Sequence, residues 1–468
     1  MASWGDLAAR EHRSSVIVLA GGVALYAINV YLTTSLLPNA VADIGGEELY
    51  SWTMTVFLVA SVISSMLVSR TLARFGARWA YAVSFTGFAL GTVIAGVAPT
   101  MIVMLVGRAV QGFAGGVLVG LGFAVVRTVL PANLWQRAIA LMSAMWGVGN
   151  VVGPIVGGLF AQFGIWRGAF ALLAVIAAGL VALTFRALPA GAGAAGAADP
   201  IPWASLFLLT AAAAAVSIAS IVDGTATIVL LVVAVAIGGA FVLWERIASS
   251  RVLPEMTYRG RSPLRWIYLA IVVLAVVSTI EMFIPLFGQR LGGLGPLAAG
   301  LLGAAISWGW TVGTLSSSGA ETDRMRRAVR VAGPLILAAG LAAYGLLQVD
   351  DPSGWVIAGW YLTLLVAGTG IGMAISHWFT AGMRVSTDDA EAAQASAGLN
   401  TSQLIANAFG SALAGVLVAL GGPSTVGSAR VLTFGFVIIA LLGVLIAFRE
   451  FAAARGWRNA ETAERAVL

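Results

Sequence analysis

The group in this sequence with the most chemistry available to it is a carboxylate inside an apolar run. Glu281 is the one acid well inside such a stretch, and a charge at the centre of a bilayer costs about 2.5 to 3.5 kcal/mol on insertion scales, so it persists where it has work to do. A carboxyl in that setting suits proton carriage. Arg108 is the basic counterpart in another apolar run, and an arginine that approaches or leaves a carboxyl changes how firmly the carboxyl holds its proton. The competing reading is a static ion pair that ties two helices together. Asp43, Asp223 and Asp323 lie at or beyond the ends of apolar runs, where water keeps an acid near its ordinary behaviour.

Uncharged polar residues recur at helical spacing around these two. Tyr26, Asn29 and Thr33 share one face, Arg108 and Gln111 a second, and Asn400, Gln403 and Asn407 a third, with Asn150 in a further run. Such stripes avoid lipid and line an interior or a substrate path. Trp146, Phe283, Trp308, Trp310 and Trp378 supply aromatic surface for an amphipathic substrate, whereas Trp52, Trp166, Trp203, Trp244 and Trp355 read as interfacial anchors. His377 reads as a packed or snorkelling side chain, with a proton relay as its alternative.

These residues require helices that span a membrane. Hydrophobic residues make up 60% of the 468, and charged residues 10%, far too few charges for a water-facing surface. The positive net charge does not mark a nucleic-acid binder, because the basic residues, all of them arginine, sit in short clusters between apolar runs. Six runs of spanning length begin near Ser15, Ser51, Trp79, Met101, Arg137 and Arg167. A linker rich in Ala and Gly over Ala187–Pro200 follows, then a hairpin of two spans turning at Asp223-Gly224, a charged stretch from Glu245 to Arg265, and six more runs from Leu264 onward. The expected architecture is an all-α membrane protein of fourteen spans: residues 1–186 form a six-helix bundle, 187–263 a linker with two extra helices, and 264–468 a second six-helix bundle.

In the fifth run, Gly149-Asn-Val-Val-Gly-Pro-Ile-Val-Gly-Gly158 sets Gly149, Gly153, Gly157 and Gly158 about Pro154. Small residues four apart let helix backbones touch, and a proline in lipid needs neighbours to satisfy the carbonyl it frees. This run is a packing seam. Asn150, Gly153 and Gly158 recur in step as Asn407, Gly410 and Gly415 in the fifth run of the second half, which reads as duplication.

The seam also resembles the antiporter signature on the fifth helix of the major facilitator superfamily. Gly107-Arg108-Ala-Val-Gln111-Gly112 resembles that family's RxxQG motif. Leu37-Pro38 with Asp43, Pro285-Leu-Phe-Gly-Gln289 and Gly293-Leu-Gly-Pro296-Leu-Ala-Ala299-Gly300 resemble its fourteen-helix drug:proton antiporter branch. The loop Ser69-Arg70-Thr-Leu-Ala73-Arg74-Phe-Gly76-Ala-Arg78 departs from the family's GxLaDRxGRR, with Ala73 in place of the acid and Ser69 in place of the leading Gly. The matching loop of the second half keeps Gly319, Asp323 and Arg324. The resemblance implies two bundles moving by alternating access around a cavity lined by the first and fourth helices of each half, which carry Arg108 and Glu281.

Phosphate-binding loops, paired metal-ligand spacings and nucleophile elbows are absent, and two His with no Cys leave little for a metal centre. Neither an enzyme nor an ATP-driven pump is expected, and no cofactor. The expected function is proton-coupled export of amphipathic or hydrophobic compounds by a monomer in the cytoplasmic (inner) membrane of a bacterium, with both termini cytoplasmic. Its partners are protons, the bilayer and the transported molecule, with no nucleic acid. The alternatives are a lipid or glycolipid exporter or flippase, a symporter of a small polar metabolite, and a non-transporting receptor.

With both termini inside, Arg167, Arg290 and Arg430 alone face out and Arg108 lies within a span, which leaves 22 of the 26 arginines at the inner boundary. Reporter fusions therefore read outside at Gly224 and inside at Arg251; an inside signal at Gly224 removes the extra hairpin.

Overall fold

Backbone in lipid has no water to bond to, so each segment must close its own hydrogen bonds, and a long apolar run becomes a helix. The computed structural model describes residues 4–7, 9–190, 200–258, 262–385 and 389–465, and among these the regular structure is helical. Most of the expected linker, and Arg259 and Arg261 of the charged stretch, lie outside the described residues. The principal helices are α1 (Arg10–Ile44), α2 (Trp52–Ser65), α3 (Val68–Gly96), α4 (Met101–Ala124), α5 (Trp135–Gln162), α6 (Trp166–Ala187), α7 (Trp203–Ala219) and α8 (Thr225–Ile247). They continue with α9 (Leu264–Ser278), α10 (Ile284–Arg290), α11 (Pro296–Ser317), α12 (Asp323–Leu347), α13 (Gly354–Met383), α14 (Asp389–Leu420) and α15 (Thr425–Arg465).

Among the described residues, 12 helices are long and apolar enough to cross a membrane, where the sequence suggested fourteen. The difference falls at two places. α7 has 17 residues, short of the ~20 that a bilayer core demands. α2 has 14 residues and stops at Met66-Leu67, after which α3 runs on through Gly76. Gly76, at φ 69° and ψ 169°, breaks α3 into two helices. Only glycine adopts that backbone readily, so the expected loop is a single hinge residue.

The chain divides into two compact units, Met1–Ile201 with Leu294–Ala304, and Pro202–Gly293 with Ala305–Leu468. In the first unit α1 packs along α5, α2 on α4, and α3 on α4 and α6. In the second, α9 packs on α14 and α15, and α12 on α13 and α15. The hairpin of α7 and α8 joins α14 through Ala215, Val216, Ala219 and Ala234 against Ala412 and Val416.

Glycines set these approaches. A Cβ on Gly149 would lie 2.6 Å from the Cβ of Ala27, one on Gly153 2.6 Å from that of Tyr31, and one on Gly157 against the Leu32 carbonyl, so α5 rests on the bare backbone of α1. A Cβ on Gly158 would lie 2.8 Å from the Cα of Leu297 in the first turn of α11. The second unit repeats the arrangement where a Cβ on Gly410 of α14 would lie 2.9 Å from Val276 Cα of α9. A tighter pair also recurs: Gly112 and Gly116 of α4 press on the carbonyls of Phe57 and Ser61, and Gly368 and Gly372 of α13 on those of Ile306 and Trp310. On α11, Gly309 and Gly313 return the contact to Leu365 and Thr369.

α5 carries its own control. Gly147 has nothing within 4 Å of an added Cβ, whereas Gly157 meets backbone. Gly157→Ala should lose about 1 to 3 kcal/mol, as overpacking does, and melt earlier in detergent, while Gly147→Ala melts with the parent protein. Equal melting of the two variants would show that α1 and α5 stand further apart.

Candidate functional site

Because Gly112 and Gly116 bring α2 onto α4, the main chain of α2 reaches the arginine of α4. Arg108 is fully buried, and its Nε donates to the Thr53 carbonyl at 3.1 Å. Its Nη1 donates to Thr33 Oγ1 at 3.3 Å and to Gln111 Oε1 at 3.0 Å, and the guanidinium lies 4.1 Å above the Phe57 ring. Gln111 Nε2 passes the network on to Asn29 Oδ1 at 3.3 Å and Thr92 Oγ1 at 2.9 Å. Tyr26 joins through its ring, 5.1 Å from Phe57 and 5.6 Å from Trp146. The first unit therefore brings together Tyr26, Asn29, Thr33, Arg108, Gln111 and Trp146. Thr53, Phe57 and Thr92 belong to this cluster and escaped sequence reasoning, since threonines and phenylalanines are everywhere in apolar runs. Arg108 Nη2 and Asn29 Nδ2 have no partner, and Asn150 Oδ1 is likewise without one.

The second unit places Glu281 at a break. α9 ends at Ser278, a 3-10 turn covers Thr279–Met282, and α10 starts at Ile284 with Pro285 in its first turn. Pro285 has no N–H to give the carbonyl four residues back, which is that of Glu281 itself. The span read as continuous from sequence thus tightens at its one acid. Ser307 Oγ of α11 lies 3.2 Å from each carboxylate oxygen. Ser307 is buried, while Glu281 and Trp308 are partly exposed. Phe283 stacks on Phe287 at 6.1 Å. Along α14, Asn407 and Gln403 are partly buried and Asn400 is exposed; Asn407 Oδ1 has no partner. Trp378 lies under Arg330, with the guanidinium 4.8 Å above its ring.

The gate residues behave unequally. Arg74 is exposed over the Phe75 ring at 5.4 Å, and Arg324 is exposed in the first turn of α12. Arg78 Nε donates to the Leu188 carbonyl at 2.7 Å, closing the end of α6. Asp323 stands 3.9 Å from Arg326. His377 Nε2 meets the Ser317 carbonyl at 3.0 Å, a packed histidine's contact. At the other ends of α1 and α6, Asp43 takes Arg167 and Trp166.

Two acids lie deeper than Glu281. Glu245, 0% exposed at the end of α8, accepts from Ser205 Oγ at 2.5 Å, the Val252 and Leu253 N–H groups at 3.1 and 3.2 Å, and Tyr258 Oη at 2.9 Å. Burial and the Glu245 charge push the Tyr258 hydroxyl up, so it remains a donor. Glu450 of α15 pairs with Arg330 of α12 at 3.0 Å, and Arg330 also lies 4.8 Å from the Phe451 ring. Both acids sit in charged stretches of sequence, where nothing in their spacing distinguishes them from solvated neighbours. Their donors hold them as fixed struts.

A probable multidrug-efflux transporter of Mycobacterium tuberculosis is 43% identical over 454 residues, 96% of each chain. A triacylglyceride transporter of Mycolicibacterium hassiacum is 29% identical across 80% of this chain and 74% of its own. The crystal structure of a bacterial homologue of the human lysosomal transporter Spinster superposes with TM-score 0.66 over 94% of this chain and 96% of that one, at 14% identity, a likeness of fold. The profile of the Major Facilitator Superfamily matches residues 19–396, so the chain belongs to that superfamily and is a multi-pass membrane transporter, not an enzyme.

Proposed function

We propose that the chain exports amphipathic, drug-like compounds in exchange for protons, by alternating access, across the cytoplasmic membrane of a bacterium. The observation that carries this reading is Glu281: an acid inside an apolar span, at a backbone break, held by one hydroxyl. A strut acid such as Glu245 is locked by four donor groups and has no freedom to cycle. Glu281 has that freedom. The substrate class draws support from the 43% identical relative, named a probable multidrug-efflux transporter. In the first unit we assign substrate contact to the region of Tyr26, Asn29, Thr33, Gln111, Trp146 and Asn150, and in the second to Phe283, Trp308, Asn400, Gln403 and Asn407. Arg108 organises the first set and takes part in proton coupling.

The topology in this reading has fourteen spans, with α2 running on to Phe75 as one span and α7 as another. Both termini are cytoplasmic, the transporter is a monomer, and the bundles are residues 1–186 and 264–468 around the 187–263 insert. A second reading, lipid export, draws on the triacylglyceride transporter of Mycolicibacterium hassiacum. Reconstitution with a labelled lipophilic drug and a labelled acylglycerol separates the two.

One proton moving down 100 mV releases about 2.3 kcal/mol, which sustains roughly a 50-fold gradient of a neutral substrate. A single carboxyl is sufficient. Glu281→Gln keeps shape and a hydrogen bond but releases no proton, so in liposomes it should lose transport driven by a pH gradient and retain counterflow exchange, with Glu281→Asp partly active. An undiminished response to the gradient in Glu281→Gln makes Glu281 structural and ends the proton reading.

A further inference from the structure

We infer that Ser307 is the positioning residue of the proton site: its hydroxyl, fixed on α11, grips Glu281 when the carboxyl is charged and releases the 279–282 turn when it is neutral. The inference rests on the reading of Glu281 as proton carrier and adds the partner that senses its state.

The two sides of the contact differ in stiffness. Ser307 follows Ile306, whose carbonyl presses on Gly368, and precedes Gly309, which presses on the Leu365 carbonyl. With backbone against backbone on both sides of it, Ser307 has no slack, and its side chain is buried. Glu281 sits in a 3-10 turn whose hydrogen bonds are poorer than those of an α-helix, and Pro285 removes one bond more. When the contact changes, the turn moves and the serine stays.

The chemistry gives the change its direction. A hydroxyl lying 3.2 Å from both oxygens suits a carboxylate, which shares its charge over the two; a hydrogen bond to a charged group is worth roughly twice a neutral one. Protonation removes the charge, so that the bond between serine and carboxyl falls to the weaker neutral kind. Thr279, in the same turn, lies against Gly410 of α14, its Oγ1 2.8 Å from where a Cβ would stand. A shift of the turn therefore reaches the seam between α9 and α14. Among the described residues of the second unit, no charged group acts on this carboxyl from α9, α10, α11, α14 or α15, the elements around the turn. The residue of α14 set against the turn is Gly410, at Thr279.

Infrared difference spectroscopy of the full chain in liposomes follows the protonated carboxyl band against pH and needs no substrate, with Glu281→Gln identifying the band. Ser307→Ala removes a donor that favours the charged form, so the band's midpoint should move to higher pH by about one to two units, a 10- to 100-fold change in proton affinity. Ser307→Thr restores the hydroxyl and should bring the midpoint back. A band that vanishes in Glu281→Gln yet keeps its midpoint in Ser307→Ala overturns the inference and leaves Glu281 as proton carrier. A spectrum with no titrating band, or one whose band survives Glu281→Gln, overturns the Glu281 reading and this inference with it.

Discussion

Backbone-to-backbone contact at glycine is what the rest of this molecule depends on. Lipid tails are as apolar as leucine, so helices in a bilayer gain nothing by burying leucine against leucine and associate through close packing and polar contacts instead. Gly112 and Gly116 bring α2 against α4, Gly149, Gly153 and Gly157 bring α1 against α5, and Gly368 and Gly372 bring α11 against α13. Each approach positions a polar contact that a bulkier residue would hold out of reach. Arg108 bonds the Thr53 carbonyl because α2 lies so near α4, and Ser307 cannot retreat from Glu281 because α11 is pinned to α13.

The same constraint sorts the buried charges. Glu245 is surrounded by donors and Glu450 by an arginine; in each case the acid ties separate segments together, and taking away a partner would strand a buried charge. Arg108 is solvated by oxygens of threonine, glutamine and main chain, together with an aromatic face. Glu281 differs in being attached, among the described residues, through a single hydroxyl while partly exposed. In the proposed mechanism it is sparse attachment, and not depth, that sets the working acid apart.

Features set by chemical type at fixed spacing were legible in the sequence. Charge scarcity indicated the membrane class, run length most of the spans, and glycine spacing the seam of α5 and its echo at Gly410. The polar stripes of Asn29 with Thr33 and of Arg108 with Gln111 meet in one network because residues three or four apart share a helix face. Hidden were the features that depend on backbone geometry or on partners remote in the chain. Gly76 reads as a loop residue and makes a kink between two helices. Ser307 is one serine among many until α11 is set beside the 279–282 turn. Glu245 looks solvated until the 252–258 segment folds back over it. Asn400 belongs by period to the stripe of Gln403 and Asn407, yet it is exposed while Leu399 and Ser402 beside it are buried, because period gives the face of a helix and not what covers that face.

Prolines connect these observations. Pro38, Pro154 and Pro334 lie inside helices, and Pro285 opens α10 directly after the 3-10 turn. A proline leaves the carbonyl four residues earlier without its N–H partner, and those four residues are Thr34, Asn150, Glu281 and Arg330. All four are polar. The backbone is therefore loosened at the same turns where a polar side chain stands in the span, so that in each case a freed carbonyl and a hydrogen-bonding side chain share one short segment. At Arg330 the side chain is fixed by Glu450, Trp378 and Phe451, and the helix stays regular through the proline. At Glu281 the side chain has one hydroxyl to hold it, and there the helix departs from α geometry. Proline frees a carbonyl at both places, and of the four it is at Glu281 alone, among the described residues, that the helix gives way to a 3-10 turn.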